Sequence, residues 1–139
     1  MKVFLDCNVF MDFYSGRQYC EEAAQIISMA QEGRIKACTS MICVSDIIYL
    51  FEKYKIIPKR LIPDAIKDLS SLVEVLPVGN DELQEALSME YSRDLEDLLE
   101  ISCAQRNGCD TIITINKRDF TQAEIPVYSP AEFLQRITE

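Results

Sequence analysis

The sequence contains no histidine and no tryptophan, and only 4 of its 139 residues are glycine and 5 are proline. The absence of histidine excludes histidine-dependent triads and a histidine general base, so any chemistry must use carboxylates, amides, hydroxyls, thiols or a metal ion. The absence of repeats and of glycine-rich or proline-rich segments is typical of an ordinary globular chain. We expect residues 1–139 to form one domain.

Long apolar segments are also absent. No segment approaches the roughly 20 apolar residues that span a bilayer, and no charged segment precedes an apolar one at the N-terminus. We therefore predict a cytoplasmic protein without membrane contact. The six cysteines lie in apolar segments without a Cys-x-x-Cys pair, which disfavours zinc, and we interpret them as buried free thiols.

The formal net charge of −9 argues against non-specific binding of nucleic acid, because neutralising phosphates requires lysine and arginine. Positive charge is nevertheless concentrated in "EKYKIIPKR" (52–60) and "NKRDF" (116–120). An acidic chain with such basic segments is compatible with a carboxylate-rich site flanked by phosphate-binding residues, although a solvated surface explains the same residues. The candidates for contact with backbone phosphates are Lys53, Lys55, Lys59, Arg60, Lys117 and Arg118.

Apolar periodicity predicts strands that alternate with helices. The predicted strands are 2–5, 35–40, 73–78, 110–115 and 125–129, and the predicted helices are 17–32, 44–54, 59–72, 80–91, 94–108 and 129–137. This alternation predicts an α/β fold, a three-layer α/β/α sandwich whose central, mostly parallel sheet has about four or five strands.

Polar residues follow two of the predicted strands. Asp6 comes directly after the first strand and Asn116 after the fourth. Ligand sites in parallel sheets gather beyond the carboxyl ends of the strands, and helices that carry Asp46 and Asp97 near their starts can begin at the same edge. The sequence therefore predicts that these four side chains converge.

Each residue also has a simpler structural explanation. Asp6 with Asn8 suits an Asx turn. Asp97 lies three residues after a predicted helix cap, Asp94, where an acid stabilises the first turn. Against this, Asp97 shares a helix face with Ile101, which places its carboxylate at the end of an apolar stripe.

Taken together, four segments resemble one family. They are "VFLDCNVFMD" (3–12), "TSMICVSDIIYLFEK" (39–53), "DLEDLLEISCAQRNGCDTIITINKRDF" (94–120) and "VYSPAEFL" (127–134). In this order they resemble a PIN domain, the nuclease module of VapC-type toxins, over nearly the whole chain. The third segment is the most specific.

The resemblance implies a Mg²⁺- or Mn²⁺-dependent endoribonuclease, the toxin of a VapBC-type pair, with an RNA substrate, an antitoxin partner and a homodimeric state. The first family acid falls on Asp6, the second on Asp46, where many members have glutamate, and the third on Asp97. Asn116 stands where many members have a further aspartate. The resemblance and the predicted cap together suggest supporting positions at Asn8, Ser40, Asp94, Thr114 and Asp119.

Elementary chemistry agrees with this assignment. Crowded carboxylates raise one another's pKa, so such a pocket is costly unless a cation occupies it. Mg²⁺ prefers oxygen ligands and needs neither histidine nor cysteine. We predict Asp6 and Asp97 as direct metal ligands. Asp46 would bind a second ion or orient the water, and Asn116 would offer an amide oxygen or a hydrogen bond to a metal-bound water.

Two departures from the family pattern leave an alternative open. Aspartate at position 46 is one methylene shorter than glutamate, and Asn116 lacks a charge. A catalytically weak, PIN-like binding module, whose acidic pocket docks a basic partner peptide, is therefore the alternative function. A phosphatase with Asp6 as nucleophile is disfavoured, because the second aspartate that it would need is replaced by Asn8.

Overall fold

The computed structural model describes residues 1–90 and 94–138. Within these residues five strands form one sheet in the order β3-β2-β1-β4-β5, and every neighbouring pair is parallel. The α/β class and the parallel sheet are confirmed. The strands are Lys2–Leu5 (β1), Lys36–Ser40 (β2), Glu74–Leu76 (β3), Thr111–Ile113 (β4) and Val127–Tyr128 (β5).

Seven α-helices connect or follow these strands in the described part of the chain. They are Cys7–Ser15 (α1), Cys20–Gln31 (α2), Met41–Lys53 (α3), Ile62–Leu72 (α4), Asn80–Ser88 (α5), Leu95–Arg106 (α6) and Pro130–Thr138 (α7). Two short 3-10 helices lie at Lys59–Leu61 and Lys117–Phe120. None of the helices described here is long and apolar enough to cross a membrane.

The sheet separates two hydrophobic cores. Because side chains alternate along a strand, Val3 and Leu5 of β1 face one core and Phe4 faces the other. Helices α1, α2, α3, α4 and α7 cover the first face, whereas α5 and α6 cover the second. The three-layer arrangement therefore places α6, and not α1, on the side of Phe4.

The predicted ends of two helices are confirmed. Asp94 caps α6, accepting a hydrogen bond from the Glu96 backbone N–H at 2.9 Å. Ser129 and Glu132 form a reciprocal capping box at α7, at 3.0 and 3.2 Å. These caps satisfy backbone donors that the first helical turn leaves unpaired.

Some details of the prediction are wrong. The helix α1, of which Asp6 is the N-cap, was not predicted by the periodicity, and it replaces the Asx turn that was the alternative explanation of Asp6 and Asn8. The helix predicted at 80–91 ends at Ser88, and its predicted last residue, 91, lies outside the described residues. Of the six cysteines, four are buried, but Cys7 and Cys20 are only half-buried.

Candidate metal centre

Three neighbouring strands deliver polar side chains to one edge of the sheet. Asp6 follows β1 and caps α1, and Ser40 ends β2 and caps α3. Thr114 follows β4, on the other side of β1. Because all three strands are parallel, their carboxyl ends meet at the same edge, where open α/β sheets bind ligands.

Asp6 is held in one orientation. Its side chain is 7% exposed, and its Oδ1 accepts a hydrogen bond from the Cys7 backbone N–H at 2.8 Å. Its Oδ2 accepts one from Thr114 Oγ1, also at 2.8 Å, and Thr114 Oγ1 in turn accepts from the Asn116 backbone N–H at 3.0 Å. Burial raises the pKa of Asp6 despite these donors, and the charges of Asp46 and Asp119 raise it further.

Asp97 contributes a second carboxylate from the first turn of α6. Burial raises its pKa to about 7, with further contributions from Asp6, Asp94 and Asp119. The charge of Asp6 therefore acts on Asp97, and the charge of Asp46 acts on Asp6. Joint binding of a metal ion by Asp6, Asp46 and Asp97 stays a prediction.

Glu100 is an acid of the site that the sequence reasoning missed. Its side chain is 2% exposed, Oε1 accepts from Ser40 Oγ at 2.6 Å and Oε2 accepts from Cys43 Sγ at 2.7 Å. Potential ligand atoms of Asp6, Cys43 and Glu100 all lie within 4.8 Å of one another. Burial raises the pKa of Glu100 to about 7, with smaller contributions from Asp6 and Asp46 that the two hydrogen bonds oppose.

Glu96 is a second acid that was not predicted. It lies on the first turn of α6, and a hydrogen bond between its carboxyl group and that of Asp46, more than burial, raises its pKa to about 8. Helix spacing could have found both glutamates. Glu100 is three residues after Asp97 and four after Glu96, and residues three and four apart are neighbours on a helix surface.

In the described part of the chain, the acids of the site have no basic partner. Among residues 1–90 and 94–138, no lysine or arginine forms an ion pair with Asp6, Asp46, Asp97 or Glu100. Asp12 shows the contrast, because this buried acid pairs with Arg17 Nε at 2.8 Å. Several carboxylates that repel one another, with no protein cation to balance them, fit a hard divalent metal ion, which binds carboxylate oxygens.

The supporting residues occupy different positions. Ser40 and Thr114 donate to carboxylates of the site, and Asp94 caps α6. Asn8 Oδ1 accepts a hydrogen bond from Arg17 Nη2 at 3.4 Å. The carbonyl of Asn116 accepts from the Asp119 backbone N–H at 2.9 Å, which closes the turn behind the site.

The basic candidates are less closely associated with the acids. Lys53 lies over the rings of Tyr49 and Tyr54, at 5.7 and 5.4 Å from the ring centroids, and is about 10 Å beyond Asp46 along α3. The other basic residues of that segment, Lys55, Lys59 and Arg60, come after it. Lys117 follows the site directly but pairs with Glu132 at 3.0 Å. Arg118 is exposed on the same 3-10 helix. Contact of these side chains with RNA stays a prediction.

Comparisons with known proteins agree with the geometry. A family model described as a PIN domain matches residues 2–118. Ribonuclease VapC1 of Aquifex aeolicus (strain VF5) is 29% identical over 140 residues, covering 97% of this chain and 94% of that protein. A toxin-antitoxin complex from Klebsiella pneumoniae contains a chain with a TM-score of 0.68 and 25% identity, covering 92% of this chain and 97% of that one. A DNA-bound VapBC structure from Salmonella typhimurium has a TM-score of 0.66 and 17% identity, covering 94% of this chain and 98% of that one.

Proposed function

We propose that this chain, which belongs to the PIN domain family, is a metal-dependent endoribonuclease that hydrolyses RNA phosphodiester bonds. The observation that carries the proposal is the buried carboxylate of Asp6, surrounded by further acids and without a basic partner in the described residues. The relative named Ribonuclease VapC1 supports the same reaction class.

The residues divide into ligands and positioning groups. Asp6 and Asp97 would hold Mg²⁺ or Mn²⁺, with Asp46 beside them. Thr114 and the Cys7 N–H hold the carboxylate of Asp6 in one orientation. A bound divalent ion supplies an activated water and polarises the scissile phosphoryl group.

Metal binding at this site should depend on pH. The elevated pKa of Asp97, about 7, means that its carboxyl group must lose a proton before it can act as a ligand near neutral pH. Asn116 contributes no charge, so the acids on α3 and α6 must balance the cation together with Asp6. We expect metal affinity to rise with pH through this range.

The partner is proposed from the solved structures. The Klebsiella pneumoniae and Salmonella typhimurium proteins are components of toxin-antitoxin and VapBC assemblies. We infer that this chain is the toxin of such a pair and that an antitoxin protein binds it in the cytoplasm, where its RNA substrate would be found.

A metal-dependent cleavage assay tests the proposal. Purified protein is incubated with a labelled single-stranded RNA in Mn²⁺, in Mg²⁺ and in EDTA. Cleavage is expected only with metal, and it should fall at least about 100-fold in Asp6→Asn and Asp97→Asn, because each removes a ligand charge that the transition state requires. Asp64→Asn, an exposed acid of α4, is the matched control and should retain activity.

Two results would contradict the proposal. Cleavage that persists in EDTA would exclude the metal-dependent reaction. Absence of cleavage with every metal, combined with tight binding of a lysine-rich and arginine-rich peptide, would favour the alternative of a docking module.

A further inference from the structure

Glu100 is a buried acid for which the described residues provide no counterion. The charged groups that act on it include Asp6, Asp46 and Glu96, all negative, and no lysine or arginine of the described residues pairs with it. A buried carboxylate in this position is costly unless it is neutral or a cation balances it. A hydrophobic residue at position 100 would avoid that cost, since Ile101 and Leu98 beside it are buried in the apolar core.

The hydrogen bonds on Glu100 fix its carboxylate without saturating it. Ser40 donates to Oε1 and Cys43 donates to Oε2, one bond to each oxygen. A carboxylate oxygen has two lone pairs, so each oxygen retains a site for a further ligand. Ser40 itself is fixed, because it caps α3 and accepts from the Cys43 backbone N–H at 3.0 Å.

The spacing around Asp6 suits one cation. Ligand atoms of Asp6 and Glu100 lie within 4.8 Å of each other. Oxygen ligands about 2.1 Å from Mg²⁺ are separated by about 3 Å when adjacent and about 4.2 Å when opposite, so a small movement of one side chain is enough for both to bind one ion. Asp6 lies on β1 and Glu100 on α6, so the two would hold the ion from different elements.

We propose that Glu100 is a direct ligand of the divalent cation, on the buried side of the site, where it supplies the carboxylate that Asn116 does not. This inference rests on the proposed function. Ser40 and Cys43 are positioning residues that orient the carboxylate of Glu100. The four family positions assigned by resemblance do not include it.

Calorimetric titration with MnCl₂ tests the assignment in the full chain. Glu100→Gln keeps the size of the side chain and an acceptor for Ser40, but removes the charge. Its dissociation constant for Mn²⁺ should be at least about tenfold weaker than that of the wild type, because loss of even an outer partner of a metal ligand costs about 10- to 100-fold. Asp12→Asn is the control, a buried acid that pairs with Arg17 outside the site.

Thermal melting separates a ligand from a structural acid. In EDTA, Glu100→Gln should melt at the same temperature as the wild type or higher, because a buried charge is removed. Mn²⁺ should raise the melting temperature of Glu100→Gln much less than it raises that of the wild type. A purely structural role predicts the opposite: a lower melting temperature in EDTA and an unchanged Mn²⁺ shift. Glu100→Asp, which keeps the charge but shortens the side chain, should bind Mn²⁺ with intermediate affinity.

The outcomes distinguish the two proposals. If the wild type binds no Mn²⁺, the proposed function and the role of Glu100 both fail. If the wild type binds Mn²⁺ and Glu100→Gln binds it within twofold as tightly, only the role of Glu100 is overturned. If Glu100→Gln does not fold, Glu100→Asp is compared with the wild type instead, and Mn²⁺ binding within twofold of the wild type again overturns the role of Glu100.

Discussion

At the scale of single residues, the hydroxyl of Thr114 is central to the site. It donates to Asp6 Oδ2 and accepts from the Asn116 N–H, and it is fully buried. Thr114→Val keeps the shape but removes both hydrogen bonds. We expect a loss of about 1.5–3 kcal/mol in unfolding free energy, because a hydrogen bond to a charged group is removed, and a weaker Mn²⁺ affinity, because Asp6 is no longer oriented.

Thr111→Val is the matched control for this change. Thr111 begins β4, the strand that Thr114 follows, and is buried, but its Oγ1 donates to the Pro126 carbonyl at 2.8 Å instead of to an acid of the site. Urea denaturation should show a loss for both variants, whereas titration with Mn²⁺ should show a change only for Thr114→Val. Equal Mn²⁺ affinity in both variants would mean that Thr114 does not orient a metal ligand.

The residues of the site were predictable to different degrees. Asp6 could be placed because a strand end fixes its position on the sheet. Asp97 could be placed because its helix face continues into an apolar stripe. Glu100 was missed because it follows "DLL" in an apolar segment, where a glutamate suggests an exposed position. Only the packing of α6 against Ser40 and Cys43 shows that its carboxylate points into the site.

At the scale of elements, the start of α6 couples helix stability to the site. Asp94 caps the helix, accepting from the Glu96 N–H, and its charge contributes to the raised pKa of Asp97. Asp94→Ala removes the cap and should cost about 1 kcal/mol in unfolding free energy. Asp94→Asn keeps a good capping side chain and should cost almost nothing, although both variants should lower the pKa of Asp97.

Two measurements separate these effects. Chemical denaturation measures the contribution of the Asp94 cap to the unfolding free energy. The pH dependence of Mn²⁺ binding measures the effect of the Asp94 charge on the pKa of Asp97. We expect Asp94→Asn to match the wild type in denaturation while its binding curve moves to lower pH. If Asp94→Asn destabilised the protein as much as Asp94→Ala, the hydrogen bond to Glu96 would not explain the role of this residue.

Helix α1 shows why one element could not be predicted. Its sequence, CNVFMDFYS, contains residues of modest helix propensity and is only nine residues long, too short to be stable alone. The helix forms because Val9, Phe10 and Met11 are buried in the core against α2 and α3. Asp6 and Gly16 cap this helix, but in so short a segment these two residues are equally compatible with turns. The longer helix α6 could be recognised because its cap, Asp94, precedes an apolar stripe.

At the scale of the whole molecule, the central position of β1 determines where the site forms. The alternation of strands and helices predicted a parallel sheet, but it did not give the strand order. The order places β1 between β2 and β4, so the residues at the ends of both neighbouring strands lie beside Asp6. Thr114, after β4, donates a hydrogen bond to Asp6 itself, and Ser40, at the end of β2, donates one to Glu100. Long-range pairing of this kind is invisible to local periodicity.

The stability of the metal-free protein should decrease as the pH rises. The folded protein raises the pKa of Asp97 from 3.8 to about 7 and that of Glu100 from 4.5 to about 7, so between about pH 4 and pH 7 it binds more protons than the unfolded chain. Stability that is present below pH 4 is therefore lost as these carboxyl groups ionise in the folded state. Glu100 is almost fully buried, and its ionisation alone should cost about 3 kcal/mol, whereas Asp97 is half-exposed and contributes less. Burial also raises the pKa of Asp6, so Asp6 contributes in the same direction.

Urea denaturation in EDTA at pH 5 and pH 8 measures this loss. The unfolding free energy should be lower at pH 8, and Glu100→Gln should reduce the difference because it removes one of the buried carboxyl groups that cause it. Saturating Mn²⁺ should reverse the trend, since the cation binds the ionised carboxylates of the folded state and its affinity increases with pH. A metal-free protein that was equally stable or more stable at pH 8 would contradict the crowding of acids on which the candidate metal centre depends.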